Sequence, residues 1–129
     1  MQLTVLHAKL HHLRVTACEP EYQGSLTIDE DLMDLVGILP FEKILVANLA
    51  NGERFETYAM PGERGTKVAC LNGAAAFKGK VGDRLIIMAW ALMTEKQAAK
   101  IKPRIVQFDA ENKPFEPKKN PFQPPKFKD

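Results

Sequence analysis

The residues best equipped for chemistry in this chain are Gly24 and Ser25, in the segment Tyr22-Gln23-Gly24-Ser25. A serine hydroxyl directly after a glycine can attack that glycine's carbonyl carbon, because glycine lacks a Cβ and tolerates the strained backbone geometry of the attack. An ester would replace the peptide bond. Loss of the Ser25 Cα proton would then expel the Gly24 carboxylate and leave a dehydroalanine, which water converts to an N-terminal pyruvoyl group with release of ammonia. The chain would thus make its own ketone cofactor. Alone, however, a Gly-Ser dipeptide is an ordinary turn.

Several other residues have the types that such a cofactor needs around it. Arg54, just after Asn51-Gly52, can grip a carboxylate bidentately, or it is a solvated strand arginine. Tyr58 lies four residues on, so strand alternation puts both side chains on one face. Its phenol can donate a proton, or it is a core tyrosine. Lys9 offers a second cation, although an isolated lysine is ordinarily a surface group. Asn72-Gly73-Ala74-Ala75 has small side chains and accessible N–H groups that a substrate could approach closely, and it also reads simply as a tight turn. His7, His11 and His12 raise a metal reading, but their segment reads as strand and loop, with no cysteine or carboxylate to complete a ligand set. No metal is expected.

Four segments, Ala8-Lys9-Leu10-His11, Tyr22 to Ser25, Asn51 to Tyr58 and Asn72 to Ala76, occur in an order and spacing that closely resemble the aspartate 1-decarboxylases. These are the pyruvoyl-dependent enzymes that make β-alanine for pantothenate synthesis. The resemblance runs from Met1 to about Asp109. It implies cleavage between Gly24 and Ser25, with Ser25 becoming the pyruvoyl group that condenses with the amine of L-aspartate. Lys9 and Arg54 would bind the substrate, and Gly73, Ala74 and Ala75 would line its pocket. Thr57 would contact substrate and also hydrogen-bond the Gly24 oxygen during self-processing. Tyr58 would be the proton donor, with Tyr22, His11 and Asn72 in supporting places. A built-in pyruvoyl group replaces pyridoxal phosphate as electron acceptor, which suits a chain with no evident phosphate-cradling glycine-rich motif. The resemblance further implies a homotetramer with sites between adjacent subunits. Cleavage would be spontaneous or assisted by a maturation factor. The chain departs from the family pattern at His12, Gln23 and Met60, positions that bear on processing rate and pocket shape.

The elements that must carry these residues read as many short strands. Leu3–Leu6, Leu13–Cys18, Ile44–Leu49, Phe55–Ala59, Val68–Leu71 and Arg84–Trp90 are apolar or alternating, and Asn51-Gly52 predicts a type I′ hairpin turn. Helices are few: Glu30–Val36, capped by Asp29 and stopped by Gly37, and a turn or two after the Thr94 cap. That density of strands predicts a mainly β fold, a small closed barrel; the resemblance makes it a double-psi β-barrel.

At 129 residues the chain suits one domain, expected over 1–110, followed by a tail over 111–129 with five of the nine prolines. The tail reads as disordered, with a proline-rich docking role as the alternative. From Lys113 to Asp129 five lysines face one glutamate and one aspartate, so the +3 of these residues exceeds the whole chain's +2. The remainder, at −1, makes a poor phosphate-tracking surface, and no nucleic-acid partner is expected. The N-terminus has no signal-peptide pattern, and the longest strongly apolar run, Leu85–Met93, is too short to span a bilayer. Cys18 and Cys70 read as buried thiols of a reducing compartment, so a cytoplasmic protein without membrane contact is expected. A different class of function stays open, a non-enzymatic small β-barrel binding module whose basic, Pro-rich tail recruits a partner.

Overall fold

The computed structural model describes residues 1–115. Nine strands form one mixed ladder in the order β2-β6-β3-β5-β4-β7-β1-β8-β9, so the mainly β expectation holds. The strands are β1 (Gln2–Arg14), β2 (Ala17–Glu19), β3 (Leu26–Asp29), β4 (Lys43–Asn48), β5 (Arg54–Gly62), β6 (Ala69–Asn72), β7 (Arg84–Thr94), β8 (Arg104–Phe108) and β9 (Pro114–Phe115). Two short helices, α1 (Glu30–Val36) and α2 (Glu95–Ala98), and a 3-10 helix (Gly73–Lys78) complete it. The ladder is not a continuous hydrogen-bonded ring. Its two halves are joined between β1 and β2, where the Val15 and Thr16 N–H groups donate to the carbonyls of Asp83 and Ala69. None of the helices among the described residues is long and apolar enough to cross a membrane.

Alternation decides which side chains enter the core. On β1, Ala8, Leu10 and Leu13 are fully buried, and with Leu26, Ile28, Ile44, Val46, Leu71, Leu85 and Ile87 they fill the interior. Lys9 and His11, between them, therefore lie on the other face. Helix α1 begins at Asp29, whose side chain accepts from the Asp31 N–H, and ends where Gly37 turns left-handed, φ +79°. It buries Leu32, Met33 and Val36. The Asp29 carboxylate also accepts from the Gly65 and Lys67 N–H groups, at 3.2 and 2.8 Å. This ties the end of β3 to the loop before β6.

Several local expectations are corrected. The first strand is one 13-residue element that runs through the three histidines rather than giving way to a loop; register shifts at Leu6/Ala8 and His11/Leu13 disguise its alternation. The turn after β4 is not a type I′ pair. Gly52 alone has positive φ there, and the Asn48 and Asn51 side chains accept from Ala50 and Glu53 in two successive side-chain turns. Strand β8 follows a proline and was not foreseen. The segment after Asn72 is a 3-10 helix rather than an open loop. Beyond position 110, Asn112 is buried and bonds both main-chain groups of Arg14 and the Lys67 carbonyl, and Pro114–Phe115 pairs with β8. The remainder of the tail, 116–129, lies outside the described residues.

Candidate active site

The segment carrying Gly24 and Ser25 leads into β3, which pairs in parallel with β5 (Leu26 beside Ala59, Thr27 beside Met60) and antiparallel with β6 (Leu26 opposite Leu71). The β6 side supplies a direct tether, because the Asn72 N–H donates to the Ser25 carbonyl at 2.9 Å. The Asn72 side chain is buried; its Nδ2 donates to Thr27 Oγ1 at 2.8 Å, and its Oδ1 accepts from the Cys70 thiol at 3.1 Å. Ser25 is thus tied through its carbonyl to β6 and runs directly into β3, although no regular strand contains Ser25 itself.

Gly24 has φ +98°, which an L side chain rarely adopts, and a Cβ there would lie 2.8 Å from Met60 Cγ. Two independent constraints, backbone and packing, therefore require glycine. Gly73, at φ +57°, comes against the same segment: a Cβ on it would sit 3.6 Å from the carbonyl oxygens of both Gly24 and Tyr22. A cavity of about 180 Å³ opens beside the segment, lined by Glu19, Tyr22, Thr27, Cys70 and Asn72. Burial raises the pKa of both thiols, Cys18 and Cys70, which keeps them protonated.

Strand β5 sorts its residues by face. Arg54 and Tyr58 are exposed on one side. Thr57 lies on the other, and its hydroxyl is buried without a hydrogen-bond partner among the described residues. Such an atom costs about 1–3 kcal/mol unless something later bonds to it. Ala74 is exposed, whereas the side chain of Ala75 packs into the core.

Lys9 and His11 stand apart from this group. On β1, Lys9 is beside Met88 and Ile105, and β1 is separated from β5 by β7 and β4. Three strand spacings amount to about 14 Å across the ladder. The outer face around Lys9 is cation-rich. His11 is held down to about 4 by burial and then by His12, Lys9 and Arg84, and His12 is lowered chiefly by its burial and by Arg84. The two imidazoles stack with ring centroids 3.8 Å apart, while His7 Nε2 pairs with Glu42 at 2.6 Å. The three histidines do not converge, and among the described residues no group of three His, Cys, Asp or Glu could hold a metal ion.

One chain therefore brings together Tyr22, Gly24, Ser25, Asn72 and Gly73, with Thr57 and Tyr58 on the adjoining strand, and leaves Lys9 and His11 elsewhere. Sequence reasoning had not connected Thr27 or Cys70 with Asn72, nor Met60 with Gly24. The Thr27–Asn72 and Gly24–Met60 contacts depend on strand pairings between distant segments, for which no local signal exists, whereas Cys70 and Asn72 lie two apart on β6.

The family model of aspartate decarboxylase matches residues 1–115. The chain is 54% identical over 106 residues to the aspartate 1-decarboxylase of Alcanivorax borkumensis, covering 82% of this chain and 84% of that one. It is 51% identical over 113 residues to that of Thioalkalivibrio sulfidiphilus (88% and 90% covered) and 49% identical over 112 residues to that of Salinibacter ruber (87% and 77%). The chain belongs to the aspartate decarboxylase family.

Proposed function

We propose that this protein removes the α-carboxylate of L-aspartate to give β-alanine and carbon dioxide, after cutting itself between Gly24 and Ser25 to form a pyruvoyl group. The observation that carries the self-cleavage is Gly24 itself: a left-handed residue locked between Met60 and Gly73, with the next carbonyl tethered by Asn72. The unpartnered Thr57 hydroxyl fits the developing oxyanion at Gly24, since it has a hydrogen bond to give and no acceptor for it among the described residues. The maturation balances as one water consumed and one ammonia released. Gly24 leaves as a carboxylate at the end of chain 1–24, and residue 25 becomes the ketone at the head of chain 25–129.

The pyruvoyl group supplies a ketone for the substrate amine and a conjugated carbonyl that accepts the electrons freed with carbon dioxide. The chain's own residues do the rest. The guanidinium of Arg54 orients one carboxylate of aspartate through paired hydrogen bonds, and Lys9 neutralises the other. Tyr58 holds the proton that the product carbon needs, on the face of β5 that also bears Arg54. Backbone groups of Gly73 and Ala74 lie against the bound substrate. His11, kept neutral by its burial and its cationic neighbours, adds polarity without competing for the substrate's negative charge. The separation of β1 from β5 supports a site assembled between two subunits of a homotetramer, one giving Lys9 and His11, the other Ser25, Arg54, Thr57 and Tyr58.

Intact-mass measurement of the purified protein tests this reading. Two chains are expected, residues 1–24 and residues 25–129, the second lighter by one ammonia than a chain beginning with serine. A full-length species that persists through long incubation, alone or in a lysate of the source cells, would overturn it.

A further inference from the structure

Nothing in the chemistry of aspartate calls for Met60, yet its side chain lies folded over the glycine of the scissile bond. The place where a Cβ would stand on Gly24 is 2.8 Å from Met60 Cγ and 3.3 Å from both Sδ and Cε, so the whole thioether arm covers that side of the residue. Gly73 also comes against this segment, with the Gly24 and Tyr22 oxygens as its nearest neighbours. Downstream, Ser25 is fixed through its carbonyl by Asn72. A glycine has the freest backbone of any residue, so its conformation is limited by what surrounds it. Here the three atoms nearest on one side all belong to Met60.

We propose that Met60 is a positioning residue for self-cleavage, a wedge that confines Gly24 to its left-handed conformation and so sets the rate at which the chain matures. The inference rests on the self-cleavage reading above. The acyl shift forms the bond from Ser25 Oγ to the Gly24 carbonyl carbon and breaks the bond from that carbon to the Ser25 nitrogen, which takes up the hydroxyl proton. Which face of the carbonyl meets Oγ depends on rotation about the Gly24 backbone, and a neighbour that blocks rotation removes unproductive orientations before the reaction starts. An unbranched, three-torsion side chain suits the task, because it fills an irregular gap without demanding one rigid fit. After cleavage Gly24 is a chain end, and the wedge has no further part.

Cell-free synthesis of the wild type, Met60→Leu and Met60→Ala, followed by intact mass against time, tests the proposal. The melting temperature of each Met60 variant is measured in a Ser25→Ala background, which cannot cut. Met60→Ala is expected to slow cleavage at least about tenfold. Met60→Leu, of similar volume, stays within about threefold. Cleavage of Met60→Ala at the wild-type rate overturns the proposal, as do cleavage rates that merely follow the loss of melting temperature. A wild type that remains a single chain overturns the self-cleavage reading itself, a result distinct from a cut wild type with an equally fast Met60→Ala.

Discussion

Thr57→Val should have opposite effects on stability and on maturation. Valine keeps the shape of threonine and replaces only the hydroxyl, which in the uncut chain is buried and has no partner among the described residues. Leaving such a group unsatisfied costs about 1–3 kcal/mol, so exchanging it for a methyl is expected to stabilise the uncleaved fold by roughly 1 kcal/mol. For a domain of this size that is a rise of roughly 3–6 °C in melting temperature, measured in a Ser25→Ala background so that both proteins stay uncut. Cleavage should move the other way. Removal of one oxyanion donor costs about 2.7–4 kcal/mol, or 10²–10³ in rate. Intact mass against time reads this directly. A Thr57→Val protein that is less stable than its parent would show that the hydroxyl is satisfied in the uncut state, and one that matures at the wild-type rate would remove Thr57 from the oxyanion. The reasoning requires both signs at once, which a simple packing defect at Thr57 cannot produce.

Tyr58→Phe keeps the exposed ring of β5 and deletes the phenolic proton, so it should mature normally and still be trapped on aspartate by borohydride, while β-alanine formation falls at least about a hundredfold; near-wild-type production would return Tyr58 to a structural role. Mixing inactive Lys9→Ala and Tyr58→Phe proteins, unfolded and refolded together, should restore activity at roughly a quarter of the sites if each site draws its two halves from different subunits; no recovery in demonstrably mixed tetramers would place both residues in one chain's site. Burial and cationic neighbours depress the His11 pKa in the folded protein to about 4 from its ordinary 6.5, so its contribution is present above pH 6.5 and lost as pH falls toward 4. His11→Gln should flatten that part of the melting-temperature profile, and an unchanged acid limb would show that His11 does not report the folded state there.

How much of this was legible in the sequence depends on how local each cause is. Helix α1 could be read to the residue, since Asp29 caps and Gly37 stops it through bonds a few positions away. Strands β4 and β7 announced themselves by apolar runs. By contrast, β1 hid its length behind two register shifts, and the Asn51-Gly52 turn took its form from the side chains of Asn48 and Asn51 rather than from a two-residue rule. Asn112 looked like the start of a tail and is instead a buried clasp on Arg14 and Lys67, 98 and 45 positions away in sequence. Alternation could foresee that Arg54 and Tyr58 share a face, because that is a property of one strand.

Distances between strands are another matter. Spacing along the chain gave no reason to separate Lys9 from Arg54, since both are cations of a motif suited to one dicarboxylate. The ladder puts two strands between them, and alternation turns both away from the core. The same ladder brings together what spacing kept apart: Ser25 lies 47 positions before Asn72 and is bonded to it, and Gly24 lies 36 positions before Met60 and is covered by it. Cleavage and turnover thus have different structural demands. On the proposed reading, self-cleavage would draw on β3, β5 and β6 of one chain, whereas decarboxylation would also draw on the cations of β1, so a Lys9 lent by a second subunit would make turnover, but not maturation, depend on assembly.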